Sequence, residues 1–159
     1  MIVNRNHEIK GLYIHVPFCS HICSYCDFPK MLYYPHFANQ YLQTLMQDLK
    51  NDITLYQSIY IGGGTPTSLS HSQFEKLLSL ASNCQTLTNP FEFCVEVNPE
   101  SCDLDKVQLM KDYGVNRVSI GVQTTNPNYL TLLERNHHQE DVTRVIQQLI
   151  QVGITNISC

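Results

Sequence analysis

The chain has 159 residues, with 10 Lys and Arg against 14 Asp and Glu, for a formal charge of −4 with neutral histidines. That is the length of one domain, and its mild acidity argues against nonspecific nucleic-acid binding. Hydrophobic residues make up 43% and charged residues 15%, which supplies a core and carries too little charge for a disordered segment.

Short β-branched runs alternate along the chain with longer stretches whose apolar residues recur at helical spacing. The first strand is predicted at 11–16 (GLYIHV). Beyond a cysteine-rich loop, a helix is predicted from about His36 to Leu55, with Phe37, Tyr41, Leu45, Leu49 and Ile53 four apart. A second strand at 58–61 leads to a helix opening near Ser70, where Ser70 or Ser72 can cap the first turn and Phe74, Leu77, Leu78 and Ala81 share a face. The third strand, 91–97, is followed by a helix from about Asp103 to Tyr113 that Gly114 ends. The fourth, 117–122, is followed by helical segments near 128–133 and 139–151, with Gly153 after the last, and a fifth run occupies 154–159.

Strands alternating with helices indicate βαβ units on one parallel sheet. A closed barrel of this kind takes about 250 residues, so about four and a half units predict an α/β fold that is a partial (β/α) barrel of the TIM type. A small complete open sheet is the alternative. No apolar run approaches the roughly 18 residues of a membrane span. The opening MIVNRNHEIK lacks the apolar stretch of a secretion signal, and the expectation is a cytoplasmic protein.

Seven cysteines is an odd number, a poor match to a secreted disulfide framework. Cys84, Cys94, Cys102 and Cys159 are widely spaced and read as buried free thiols. Cys19, Cys23 and Cys26 form a tight C-x3-C-x2-C cluster just after the first strand, in HVPFCSHICSYCDF. Thiolates so close suit one soft metal centre. Three of them on a cubane iron–sulfur cluster leave one iron open to a small molecule. Zinc competes, with His15 or His21 completing a Cys3His set, and the spacing leaves both open.

Other strand ends carry groups suited to a polar cofactor. Gly62, Gly63, Gly64, Thr65 and Pro66 follow the second strand; glycines let backbone approach a ligand closely, although the run also reads as a plain turn. In the third strand Phe93, Val95 and Val97 oppose Cys94, Glu96 and Asn98, and in the fourth Val118, Ile120 and Val122 oppose Ser119, Gly121 and Gln123. Tyr13 and His15 share the polar side of the first strand. A sheet with helices on one face turns its other face into a barrel interior, and the polar groups then converge at the C-terminal strand ends.

GLYIHVPFCSHICSYCDF, IGGGTP, EVNPES and NRVSIGVQTTN, in that order over nearly the whole chain, resemble the radical S-adenosylmethionine (radical SAM) superfamily, in its oxygen-independent coproporphyrinogen III oxidase-like branch. The resemblance implies that residues 1–159 are the N-terminal portion of a radical SAM core domain. It implies a [4Fe-4S] cluster on Cys19, Cys23 and Cys26, with S-adenosyl-L-methionine on the open iron and Tyr13 and Tyr25 flanking the cluster loop. By the same resemblance Gly63, Gly64 and Thr65 line the methionine end of SAM, while Glu96, Gln123 and Arg135 surround the rest. A carboxylate such as Glu96 can accept from ammonium or ribose hydroxyls, and Arg135 can pair with the SAM carboxylate. Without the resemblance Arg135 reads as an exposed helix arginine; His137 and His138 read as surface residues.

Decarboxylating members of the branch carry a further cysteine two residues after the third. Here the run is Cys26, Asp27, Phe28, an ending that resembles the HemW group of haem chaperones. That resemblance implies haem and haem-acceptor proteins as partners of the full-length protein, with an electron donor. The alternatives are a coproporphyrinogen oxidase working through a 5′-deoxyadenosyl radical and a zinc-stabilised βα module without catalysis.

Overall fold

The computed structural model describes residues 10–54, 56–84 and 91–159. In chain order the elements are β1 (Gly11–Val16), β2 (Phe18–Cys19), β3 (Met31–Leu32), α1 (Pro35–Lys50), β4 (Ser58–Gly63), α2 (His71–Ser82), β5 (Glu92–Val97), α3 (Leu104–Asp112), β6 (Arg117–Ile120), α4 (Pro127–Leu132), α5 (Gln139–Gln151) and β7 (Asn156–Ser158). Strands β1, β4, β5, β6 and β7 lie side by side in that order, each pair parallel. Successive strands of this sheet are joined through helices, which is the predicted βα alternation; the sheet is open, a wall of a barrel rather than a closed one.

Side-chain alternation divides the sheet. Ile14, Ile59, Ile61, Phe93, Val95, Val118 and Ile120 form one buried cluster with Leu42 of α1, Phe74, Leu77 and Leu78 of α2, Val107 and Met110 of α3, and Val145 and Leu149 of α5. The other face carries a row of larger polar groups, since Tyr13 pairs in register with Tyr60, Tyr60 with Cys94, and Cys94 with Arg117. This is the polar interior expected from strands one, three and four.

Boundaries differ where local chemistry overrides period. α1 begins at Pro35, whose fixed φ suits a first helical position, and ends at Lys50. There Asp52 turns the chain away by accepting from the Thr54 N–H at 2.9 Å and the Tyr56 hydroxyl at 2.6 Å. The predicted end at Leu55 lies outside the described residues. α1 buries Ala38 and Leu42, whereas Phe37 is exposed, as is Ile53, which lies beyond the end of the helix. A strict four-residue step overshoots the 3.6-residue turn by about 40°, so a line of such positions drifts off the buried face. α2 opens as expected at Ser70, in a capping box with Gln73. β6 stops two residues early, because Val122 N–H turns back to Ile120 O at 2.9 Å and Thr124 N–H to Val122 O at 2.7 Å.

The β2–β3 ribbon was not anticipated, being too short to show alternation. It closes the base of the cysteine loop, with Met31 N–H on Pro17 O at 2.7 Å and Tyr33 N–H on Cys19 O at 2.9 Å. Among the described residues no helix is long and apolar enough to cross a membrane.

Candidate functional site

A cavity of about 930 Å³ opens at the C-terminal ends of the strands. Its wall brings together Cys19 at the end of β2, Cys23, Tyr25 and Cys26 from the loop that follows, Gly63 at the end of β4 with Gly64 and Thr65 beyond it, Glu96 of β5, Gln123 after β6, and Arg135 between α4 and α5. Ten of the eleven residues singled out for cofactors thus share one wall. Tyr13 does not join them. It sits in mid-strand, half exposed, with its hydroxyl 3.1 Å from His15 Nδ1, while the cavity forms where the strands end.

His15 is also absent from the wall, which corrects its reading as a metal ligand. Its Nε2–H donates to Pro29 O at 2.8 Å, leaving Nδ1 to accept from Tyr13, so both ring nitrogens are engaged and the exit of the cysteine loop is tied to β1. His21 does line the cavity. Among the described residues no three His, Cys, Asp or Glu side chains are grouped to hold a single metal ion.

Cys19 is buried; burial pushes its thiol up, while the Thr65 hydroxyl, 3.7 Å from Sγ, pulls it back. Cys23 and Cys26 are half-buried. Glu96 is held at both oxygens: Oε1 accepts from the Tyr60 hydroxyl at 2.5 Å and Oε2 from Gly63 N–H at 3.0 Å. Burial and this carboxylate drive the Tyr60 hydroxyl well above its usual pKa. Gly63 adopts φ 114°, which favours glycine.

Asn98, quoted in the EVNPES run but given no role, joins two parts of the site. Its Nδ2–H donates to Thr65 Oγ1 at 3.1 Å, and its Oδ1 accepts from Arg135 Nη2 at 3.1 Å. Its signal was present, since it follows β5 on the same side as Glu96. Tyr60, likewise given no role, could have been found by alternation with Gly62. Lys106 had no such signal: a buried lysine inside an amphipathic helix, it donates to Thr67 O at 2.6 Å and Ser101 O at 2.9 Å, strapping together the turns after β4 and β5. Burial lowers its pKa.

Two sequence readings near α5 are corrected. Arg135 is not an exposed helix arginine; its side chain is 6% exposed, donates to Gly121 O at 2.6 Å, and has Glu100 Oε2 at 3.9 Å. His137 is not a surface residue, being 1% exposed with Nδ1 3.7 Å from the same Glu100 oxygen, while His138 is exposed. The segment between α4 and α5 folds inward against the NPES turn, which a polar run of sequence does not announce. Cys84, Cys94 and Cys102 are buried as expected, but Cys159 is exposed on the cavity rim.

Burial first, then the Arg135 charge, hold His137 below its ordinary pKa of 6.5. The unfolded chain therefore takes up this proton before the folded one, so stability is full above about pH 6.5 and declines as pH falls below it. The melting temperature of the metal-free chain is expected to drop more between pH 7 and pH 5 for wild type than for His137→Gln. Equal drops would show that His137 does not titrate between the folded and unfolded states.

A family profile described as "Radical SAM superfamily" matches residues 13–159. The chain is 40% identical over 156 residues to "Heme chaperone HemW" of Bacillus subtilis, covering 94% of this chain and 41% of that protein. It is 30% identical over 152 residues to "Oxygen-independent coproporphyrinogen III oxidase" of Salmonella typhimurium, covering 92% of this chain and 33% of that protein. The chain thus spans about two fifths or less of the length of these relatives. Among solved structures, coproporphyrinogen III oxidase (HemN) from Escherichia coli, described as a radical SAM enzyme, superposes with a TM-score of 0.84 at 29% identity, over 94% of this chain and 36% of that one.

Proposed function

This chain belongs to the radical SAM superfamily, and from that premise we propose that residues 1–159 are the N-terminal portion of its core domain. In this reading Cys19, Cys23 and Cys26 hold a [4Fe-4S] cluster, SAM lies in the adjoining cavity, and the full-length protein carries haem to acceptor proteins. The observation that carries the reading is the single cavity wall on which three thiols, the glycine turn, Glu96 and Arg135 meet.

The residues fit the cluster. Zinc needs its ligands gathered about one ion, whereas a cubane takes each thiolate on a separate iron, and three thiols spread along the wall of a cavity of about 930 Å³ suit the larger group. When bound, the cluster supplies an open iron for the amino-acid end of SAM and a source of one electron. The chain supplies the rest. Gly64 lets the turn come close under Cys19, since a Cβ there would lie 3.0 Å from the Cys19 sulfur. Arg135, fixed by Gly121 O and Asn98, presents a buried cation suited to a carboxylate. Glu96, steadied by Tyr60 and Gly63, keeps lone pairs free for an ammonium or ribose hydroxyl.

The haem-carrying role rests on Cys26-Asp27-Phe28 and on the relatives named as HemW haem chaperones. The superposition on HemN supports a second reading, a coproporphyrinogen oxidase supplied by an electron donor. Haem transfer to an apo-acceptor without porphyrinogen turnover is expected; decarboxylating turnover would favour the second reading.

Anaerobic reconstitution followed by EPR of the reduced protein, with and without SAM, tests the site. SAM is expected to perturb a [4Fe-4S] signal in wild type. Glu96→Ala should keep its iron and bind SAM at least tenfold more weakly, as for the loss of a hydrogen bond to a charged group worth about 1.5–3 kcal/mol. Unchanged SAM affinity would remove Glu96 from the site.

A further inference from the structure

Among the described residues two non-glycines adopt positive φ, Gln123 at 63° and Glu134 at 55°. Gln123 lines the cavity, and Glu134 directly precedes Arg135, which does. Glu134 closes the C-terminus of α4: its N–H donates to Thr131 O at 3.1 Å and the next, of Arg135, to Leu130 O at 2.9 Å. Glycine is usual at that position. A side chain there costs free energy, which a specific interaction of that side chain can offset.

Glu134 Oε2 accepts the backbone N–H of Ser24 at 3.0 Å, from 110 residues away in the chain. Ser24 stands between Cys23 and Cys26, a stretch whose own Cys26 N–H to Cys23 O bond is long at 3.3 Å. We propose that Glu134 is a positioning residue for the cysteine loop. Its carboxylate holds the Ser24 backbone so that Cys23 and Cys26 keep facing the cavity, and its negative charge lowers the reduction potential of the group bound there, because an added electron is repelled. The second half rests on the cluster assignment above; the first does not.

Two variants of the full chain separate the effects. Glu134→Gly relieves the backbone and removes the acceptor, whereas Glu134→Gln keeps an acceptor of the same shape and removes the charge. In metal-free protein, Ser24 amide exchange followed by NMR should be roughly tenfold faster in Glu134→Gly, the loss expected for a charge-assisted bond near the surface, and intermediate between that variant and wild type in Glu134→Gln, which keeps a neutral acceptor. Thermal melting of Glu134→Gly should be no lower than wild type, which excludes general unfolding as the cause. After reconstitution, an EPR-monitored redox titration should place the Glu134→Gln midpoint above that of wild type, and Glu134→Gly should lose iron faster to a chelator. Unchanged Ser24 exchange in Glu134→Gly overturns the tie, and identical midpoints for Glu134→Gln and wild type overturn the charge effect. A wild-type chain that takes up no cluster overturns the cluster assignment and the charge effect with it, while exchange in metal-free protein still decides the tie.

Discussion

Cys23→Ala is expected to leave the chain unable to retain a [4Fe-4S] cluster, with iron and sulfide falling to background after reconstitution. The expectation follows from ligand number. Cys19, at the end of β2, and Cys23 and Cys26, in the loop that follows, are the three thiols assigned to the cluster, and all three line the cavity. Two thiolates anchor only two irons of the cube and leave the others to solvent. The fold should be spared, since Cys23 is only half-buried in a loop and absent from the hydrophobic cluster, and surface-loop substitutions usually stay within about 0.5 kcal/mol. Metal-free Cys23→Ala should therefore melt like wild type. Cys84→Ala, which removes a buried thiol outside the cavity, is the control and should keep its iron. Iron and sulfide at the wild-type level in Cys23→Ala would overturn the ligand assignment.

The sequence was most legible where period and chemistry agree. β1 and α5 fall where alternation and helical spacing put them, and Ser70 caps α2 because its hydroxyl and Gln73 satisfy each other's backbone. The polar face of the sheet was readable because strand alternation leaves no choice of side once the apolar set is buried. Legibility failed where a residue's role depends on a partner far along the chain. His137 looks like surface until the α4–α5 segment folds against Glu100, and His15 looks like a ligand until Pro29 and Tyr13 are seen to occupy both its nitrogens. Tyr13 shares the predicted face of β1 but not the end of the strand, a distinction of depth that a two-residue period does not carry. Asn98 and Lys106 act through bonds of 2.6–3.1 Å to groups more than thirty residues away, so their types were visible and their roles were not.

Gly64→Ala is expected to destabilise the glycine turn and to loosen the cysteine loop along with it. An added Cβ would lie 2.8 Å from Phe18 O, 2.9 Å from Val16 O and 3.0 Å from Cys19 Sγ, and two of these three neighbours are backbone. Neither carbonyl can swing aside cheaply, because Val16 O accepts from Gly64 N–H at 2.8 Å and Phe18 O from Thr65 N–H at 2.7 Å. Relief requires the turn and the cysteine loop to move apart, breaking bonds that hold them together. Overpacking of this kind costs about 1–3 kcal/mol, and at about 2–4 °C per kcal/mol for a chain of this size the melting temperature should fall by roughly 2–12 °C. Since the displaced group includes Cys19, iron retention should fall as well, a loss that global destabilisation of the same size would not cause at 25 °C. Gly11→Ala separates the two: its Cβ would meet chiefly the Ser58 hydroxyl, at 2.9 Å, the end of a side chain that can rotate. That variant should keep both melting temperature and iron. If Gly64→Ala matches it in both, the close seating of the turn beneath Cys19 is not what holds the loop in place.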